Sequence, residues 1–216
     1  MKTLISLAVS LFLPLAASFQ AHAQAAAPAA DAGSPEALVR QVTGDVLEAI
    51  KGDAALQAGD KQKALALAEQ KVLPHLDFVE MTRLAAGRTW NTATVEQRDR
   101  LVSAFRAMLV RTYANAIDVY RGQTMMVEPA RVPTSATEAT VRNRYVSPGR
   151  RPTPVDYLMR KEAGGWKIYD IVVDGISLVL TYRSQFEEAA RNGGMESLIA
   201  QVQDKTKAQP VVRGAK

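Results

Sequence analysis

The 216-residue chain contains no cysteine. That absence excludes a disulfide framework, thiolate metal sites, iron–sulfur clusters and cysteine nucleophiles together. Its two histidines are too few for a histidine-based metal cluster. Aromatic residues make up only 6%, so the core must be built largely from aliphatic side chains and methionine. The phosphate-cradling patterns G-x-x-x-x-G-K-S/T and G-x-G-x-x-G are missing, which argues against ATP- or NAD-dependent chemistry. Ser177 stands in G-I-S-L rather than in a G-x-S-x-G elbow, so a hydrolase nucleophile is not indicated either. What remains is ordinary for a globular protein: 47% hydrophobic and 23% charged residues. The net charge of +5, from 27 basic and 22 acidic residues, is a mild excess that selects no partner by itself.

The first segment is the most specific feature. Lys2 precedes an apolar run from Leu4 to Ala17, and Ala21-His22-Ala23 supplies a small-x-small cleavage pattern. Residues 1–23 read as a secretory signal peptide cut after Ala23, because the run is too short to cross a bilayer as a helix. The expected location is the periplasm, which argues against a nucleic-acid partner. Cleavage removes His22 and leaves His75 alone. The Ala/Pro-rich stretch 24–33 is expected to be a flexible leader, 34–207 a single domain, and 208–216 a frayed tail.

Within the domain, Ser34-Pro35-Glu36 reads as a helix start. Leu38, Val42, Val46 and Ile50 follow at i+4 spacing, with Val39 and Leu47 beside them. A second helix is predicted from about Asp60 to Val72, ahead of Pro74, and a third from Asp77 to Ala85, closed by Gly87. Thr94 and Gln97 fit a capping box. Behind them Leu101, Phe105, Met108, Leu109, Tyr113, Ile117 and Tyr120 share a face of a long helix reaching about Arg121. The period then changes to two. Strands are predicted over 123–129, 138–147, 154–162 and 166–174, with a tight hairpin at Gly164-Gly165. Helical spacing returns at Leu178, Tyr182, Phe186 and Ala190, ends at Gly193-Gly194, and resumes at Leu198, Ile199 and Val202. Helices, four consecutive strands, then helices predict an α+β domain whose hairpin-linked strands form an antiparallel sheet with helices over one face.

Candidate catalytic groups are sparse. Asp170 and Asp174, four apart in an apolar strand, are either a buried acid pair fit for general acid–base work or two acids bonded to Arg, Tyr or backbone amides at a strand end. His75 is a candidate base or a capping side chain. The apolar faces fit a filled core and a hollow one equally, since periodicity does not separate the two.

The block Leu76–Tyr120, containing D-F-V-E-M-T-R-L-A-A-G-R-T-W and F-R-A-M-L-V-R-T-Y, resembles the MlaC or toluene-tolerance family. So does V-D-Y-L-M-R with G-G-W-K-I-Y-D-I-V-V-D-G-I-S-L-V-L-T-Y-R-S-Q-F and N-G-G-M-E-S-L-I. The resemblance covers roughly residues 36–205. It implies a nuclear-transport-factor-like cone: a twisted antiparallel sheet wrapped by helices, enclosing an apolar cavity. It implies a periplasmic carrier with no cofactor, whose cargo is phospholipid. Its partners would be an outer-membrane lipoprotein–porin complex and an inner-membrane ABC transporter complex with its periplasmic lipid-binding subunit. On that fold, alternation selects Phe105, Leu109, Tyr113, Val141, Tyr145, Tyr157, Met159, Trp166, Ile168 and Leu178 to line the cavity. Arg142, Arg144, Arg150 and Arg151 are the candidates for contact with acidic partners or an anionic headgroup. Two rivals stay open: an isomerase- or dehydratase-type cone using Tyr157, Asp170 and His75, and a solid-cored periplasmic binding module.

Overall fold

Aspartate and serine caps partition the N-terminal half. In the computed structural model, residues 33–113, 122–129 and 132–207 are described. The expected signal peptide, most of the expected leader, the expected tail 208–216 and the expected end of the long helix over 114–121 lie outside them. The Ser34 hydroxyl accepts from the Ala37 amide at 3.1 Å and starts α1, Pro35–Gly52. Asp53 caps α2, Ala54–Gln57, and Asp60 caps α3, Lys61–Lys71, each accepting two backbone amides. A 3-10 turn at Leu73–His75 follows, and Asp77 then caps α4, Phe78–Ala86. After α5, Thr89–Thr92, the reciprocal bonds Thr94 N to Gln97 Oε1 (3.1 Å) and Gln97 N to Thr94 Oγ1 (3.2 Å) form the expected capping box at the head of α6, Val95–Tyr113. The four-residue helices α2 and α5 were not predicted; each is too short to carry a periodic signal.

The sheet is antiparallel throughout, in the order β1-β2-β3-β4-β5. Its strands are β1 Thr124–Val127, β2 Glu138–Val146, β3 Thr153–Glu162, β4 Gly165–Val173 and β5 Ile176–Ser177. The predicted four strands are therefore joined by a two-residue fifth. It is made by the tight turn at Asp174 (φ 54°) and Gly175 (φ 83°), where both central residues take the left-handed conformation of a type I′ hairpin. The last helical stretch, α7 Arg183–Lys207, is interrupted at Gly193 and Gly194. Gly194 adopts φ 67°, and the two arms fold back so that the Lys205 ammonium bonds the Gln185 side chain. The first arm begins at Arg183 rather than at Leu178, because Leu180–Tyr182 is a 3-10 turn.

Three apolar clusters result. The largest joins α4, α6 and α7 around Leu101, Phe105, Met108, Phe186 and Leu198, with Phe105 edge-on to Tyr182 and Phe186 at 5.3 and 5.2 Å. A second lies between the sheet and α1, holding Val39, Val141, Met159, Trp166 and Ile168. A third ties α1 to α2 and α3 through Ile50, Leu56, Ala64 and Leu67. The helical body is fastened to the sheet by the Asp77 amide on the Ile168 carbonyl (2.8 Å) and by Glu80. The buried Glu80 carboxylate accepts from Arg83 of its own helix at 2.5 Å and from Arg160 of β3 at 2.9 Å.

Candidate functional site

The apolar row of α1 is only partly covered by its neighbours. Val39 and Ile50 are buried, whereas Leu38, Val42, Val46 and Leu47 are only half-buried. These four face a groove between α1 and the sheet, and Thr43, Val72, Leu76, Gln123, Thr124, Met125, Tyr145, Tyr157, Ile168 and Ile171 complete its lining. The void measures about 260 Å³, or about 1040 Å³ with its open side included. An apolar cavity of roughly 150 Å³ already stays dry and accepts a benzene-sized guest. Twelve residues separate Leu38 from Ile50, so the groove runs about 18 Å along the helix. That compares with about 15 Å for one leaflet of a bilayer's hydrocarbon core.

Among the described residues the lining contains no Asp, Glu, Lys, Arg or His. Its polar groups are hydroxyls and one amide, from Thr43, Gln123, Thr124, Tyr145 and Tyr157. Burial pushes the Tyr157 phenol up to about 12, so it stays a neutral hydroxyl at any physiological pH. Tyr145 is 38% exposed and marks the wet end of the groove, beside Gln123 and Thr124. Arg40 of α1 reaches across and donates to the Val127 carbonyl of β1 at 2.8 Å, holding helix and sheet edge together.

Of the residues selected from sequence, Tyr145, Tyr157 and Ile168 line this groove. Val141, Met159 and Trp166 are buried in the cluster beneath it. Phe105 and Leu109 belong instead to the helical cluster of α4, α6 and α7. The periodicity of α6 correctly marks an apolar face, but that face packs on α7, and spacing carries no information about the neighbour. Tyr113 is 36% exposed, its hydroxyl 3.4 Å from that of Tyr182. Leu178 is half-buried in the turn after β5, where its amide donates to the Ile171 carbonyl at 2.9 Å. The contribution of α1 was missed, although its i+4 row was visible: an amphipathic stripe reads as a packed face until the structure leaves it uncovered.

Arg142 and Arg144 are exposed on the sheet face opposite the groove, and Arg144 pairs with Glu128 at 2.7 Å. Arg150 and Arg151 are exposed in the turn between β2 and β3, at the same end of the sheet as Tyr145. Asp170 and Asp174 do not form an acid pair. Asp174 lies past the end of β4, in the exposed hairpin turn at φ 54°. Asp170 is occupied structurally: it accepts from the Ser177 hydroxyl at 2.5 Å and from the Ile171 and Val179 amides at 2.8 and 3.3 Å. His75 sits at the 3-10 turn, where burial and then nearby Lys167 hold its imidazole below the ordinary histidine value, against the opposing pull of Asp45. Among the described residues there is no group of three or more His, Cys, Asp or Glu arranged to hold a metal, and no helix long and apolar enough to cross a membrane.

With this geometry in hand, known proteins fall into a consistent pattern. A family model described as "MlaC protein" matches residues 40–204. The chain is 30% identical over 102 residues to the toluene tolerance protein ttg2D of Pseudomonas putida, an alignment spanning 47% of each protein. It is 21% identical over 182 residues to the intermembrane phospholipid transport system binding protein MlaC of Haemophilus influenzae, covering 83% of this chain and 85% of that one. A solved phospholipid-binding protein from Ralstonia solanacearum, in complex with a phospholipid, superposes with a TM-score of 0.73 at 36% identity, over 80% of this chain and 96% of that one.

Proposed function

The chain belongs to the MlaC family, and we propose that it is a periplasmic phospholipid carrier whose cargo lays its acyl chains in the groove beneath α1. The observation that carries this reading is the half-buried apolar row Leu38, Val42, Val46 and Leu47 bordering a void whose described lining carries no charge. An exposed apolar surface of this kind marks a binding site in a stable protein. The phospholipid held by the Ralstonia solanacearum relative supports the class of cargo.

The problem such a protein solves is solvation. Each methylene moved from water into an apolar site contributes about 0.8 kcal/mol, so a diacyl lipid of roughly thirty methylenes faces about 24 kcal/mol on leaving a membrane unaided. A groove that matches the apolar surroundings of the bilayer makes the exchange near-isoenergetic. No bond is made or broken, and the protein needs no cofactor and no catalytic group. Donor and acceptor are the outer-membrane lipoprotein–porin complex and the inner-membrane ABC transporter with its periplasmic lipid-binding subunit, and direction comes from the ATP-driven partner. Arg150 and Arg151, at the Tyr145 end, are positioned to meet an acidic partner surface or an anionic headgroup. Arg142 and Arg144, on the opposite face, are suited only to a partner. Export through residues 1–23 delivers the protein to the compartment where this traffic occurs.

Organic extraction of the protein purified from its own periplasm tests the reading. Diacyl phospholipid in near-stoichiometric amount is the expected result; a protein that yields no lipid, and takes none up from vesicles, refutes it.

A further inference from the structure

Two hairpin tips stand together at the Tyr145 end of the sheet. The β2–β3 turn closes through the Arg150 amide on the Ser147 carbonyl at 3.1 Å. Pro148 and Gly149 occupy its centre, and Gly149 takes φ 72°, which fits a type II turn. The turn is thus shaped by its own backbone, and it presents Arg150 and Arg151 to solvent. Among the described residues neither guanidinium has an ion-pair partner. The turn also borders the cargo space. A Cβ on Gly122, the neighbour of the lining residue Gln123, would lie 3.8 Å from Pro148 Cγ.

The β4–β5 turn reaches the same end, because the Asp174 amide donates to the Pro154 carbonyl of β3 at 3.0 Å. Two strand spacings, about 10 Å, separate the two tips. Ile176 follows the turn and is 60% exposed; Leu180 is 46% exposed, and its amide donates to the hydroxyl of Ser177 at 2.9 Å. Neither aliphatic side chain belongs to any of the three apolar clusters. Against two arginines the two turns hold one acid, Asp174. Aliphatic tips beside unpaired arginines suit the boundary of an anionic bilayer. The apolar part enters the acyl boundary while the guanidinium groups meet lipid phosphates. A fluid bilayer moulds to separate tips, whereas a protein partner has to match both at once over about 800 Å².

We infer that this end of the protein docks directly on an anionic phospholipid membrane, with Ile176 and Leu180 in the interface and Arg150 and Arg151 on lipid phosphates. Docking sets the Tyr145 end of the groove against the bilayer. The inference goes beyond the carrier reading and rests on it only for what the docking serves. The test is co-sedimentation of the intact protein with vesicles of phosphatidylethanolamine and phosphatidylglycerol, against vesicles of phosphatidylcholine. The anionic vesicles should bind the protein more tightly, and added salt should narrow the difference. Arg150→Gln with Arg151→Gln should lower partition onto anionic vesicles roughly 25-fold, about fivefold for each arginine. Ile176→Ser with Leu180→Ser should lower it about tenfold at low and high salt alike. Both pairs should keep the parental melting temperature and bound lipid, which separates a surface contact from a grip on the cargo headgroup. Should the serine pair disturb the hairpin, Ile176→Trp gives the same answer: it should dock more tightly, and brominated-chain phosphatidylglycerol should quench the added fluorescence. Equal sedimentation with both kinds of vesicle overturns the inference and hands the surface to a protein partner. So does anionic binding that neither pair of substitutions weakens. A protein that docks yet neither holds nor takes up lipid refutes the carrier reading and leaves the docking surface standing.

Discussion

Replacing Val42 by tryptophan puts the groove to its most direct test. Val42 sits within the row from Leu38 to Ile50, half-buried against the void. The indole adds about seven heavy atoms to the side chain, and each occupies the place of about one cargo methylene. At about 0.8 kcal/mol per methylene, the loss is about 5–6 kcal/mol, or roughly four orders of magnitude in affinity. The ring enters a space of about 260 Å³ rather than a filled core, so the usual overpacking cost of about 1–3 kcal/mol should be largely avoided and the melting temperature should hold or rise. The readouts are lipid per protein after organic extraction, uptake of a fluorescent acyl probe from vesicles, and thermal melting. Val42→Ala, which only widens the groove, should keep its lipid. A Val42→Trp protein that melts normally and still carries lipid at the parental ratio would show that the acyl chains lie elsewhere.

Further predictions follow from the same arrangement. Leu109→Trp forces an indole into the filled helical cluster; it should destabilise by about 1–3 kcal/mol and lower the melting temperature while lipid content per folded protein is unchanged. The Glu80 carboxyl is held below its ordinary value of 4.5, first by Arg83 and then by Arg160. Its stabilisation is thus complete above that value and is lost as pH falls through the depressed one. Melting curves from pH 7 to 3 should show this acid loss, and Glu80→Gln should flatten it while costing about 1–3 kcal/mol at pH 7. Gly194→Ala places a side chain at φ 67°, ψ −160°, a region essentially restricted to glycine, and should cost about 1–3 kcal/mol, read by denaturant titration. Reversing charge at Arg150 and Arg151 should slow lipid transfer to partner complexes in vesicle assays while bound lipid is retained; unchanged transfer rates would remove that turn from the docking surface.

Much of this fold was legible because local chemistry and tertiary structure agree. Ser34 and Pro35, the Thr94–Gln97 box and the two glycines in α7 mark boundaries through backbone bonds that need no distant partner. Strand alternation likewise placed Tyr145, Tyr157 and Ile168 on the inner face. Three features were not legible. The partner of an apolar stripe is a tertiary fact, so α1 and α6 read alike although one borders a void and the other a filled core. β4 ends at Val173 and Asp174 enters a two-residue turn at φ 54°, so it leaves the strand face that Asp170 keeps. Asn143 is buried in the inward sequence Ala139, Val141, Tyr145, a place that hydrophobic alternation does not assign to a polar side chain.

The division of apolar side chains into separate clusters has a consequence for the working cycle. A courier spends half of each round trip with nothing aboard, and a protein whose only hydrophobic mass were its payload chamber would risk collapse or clumping on every return leg. Here the helices around Phe105, Phe186 and Leu198 satisfy one another whatever the chamber holds. Unloading therefore leaves that helical frame intact.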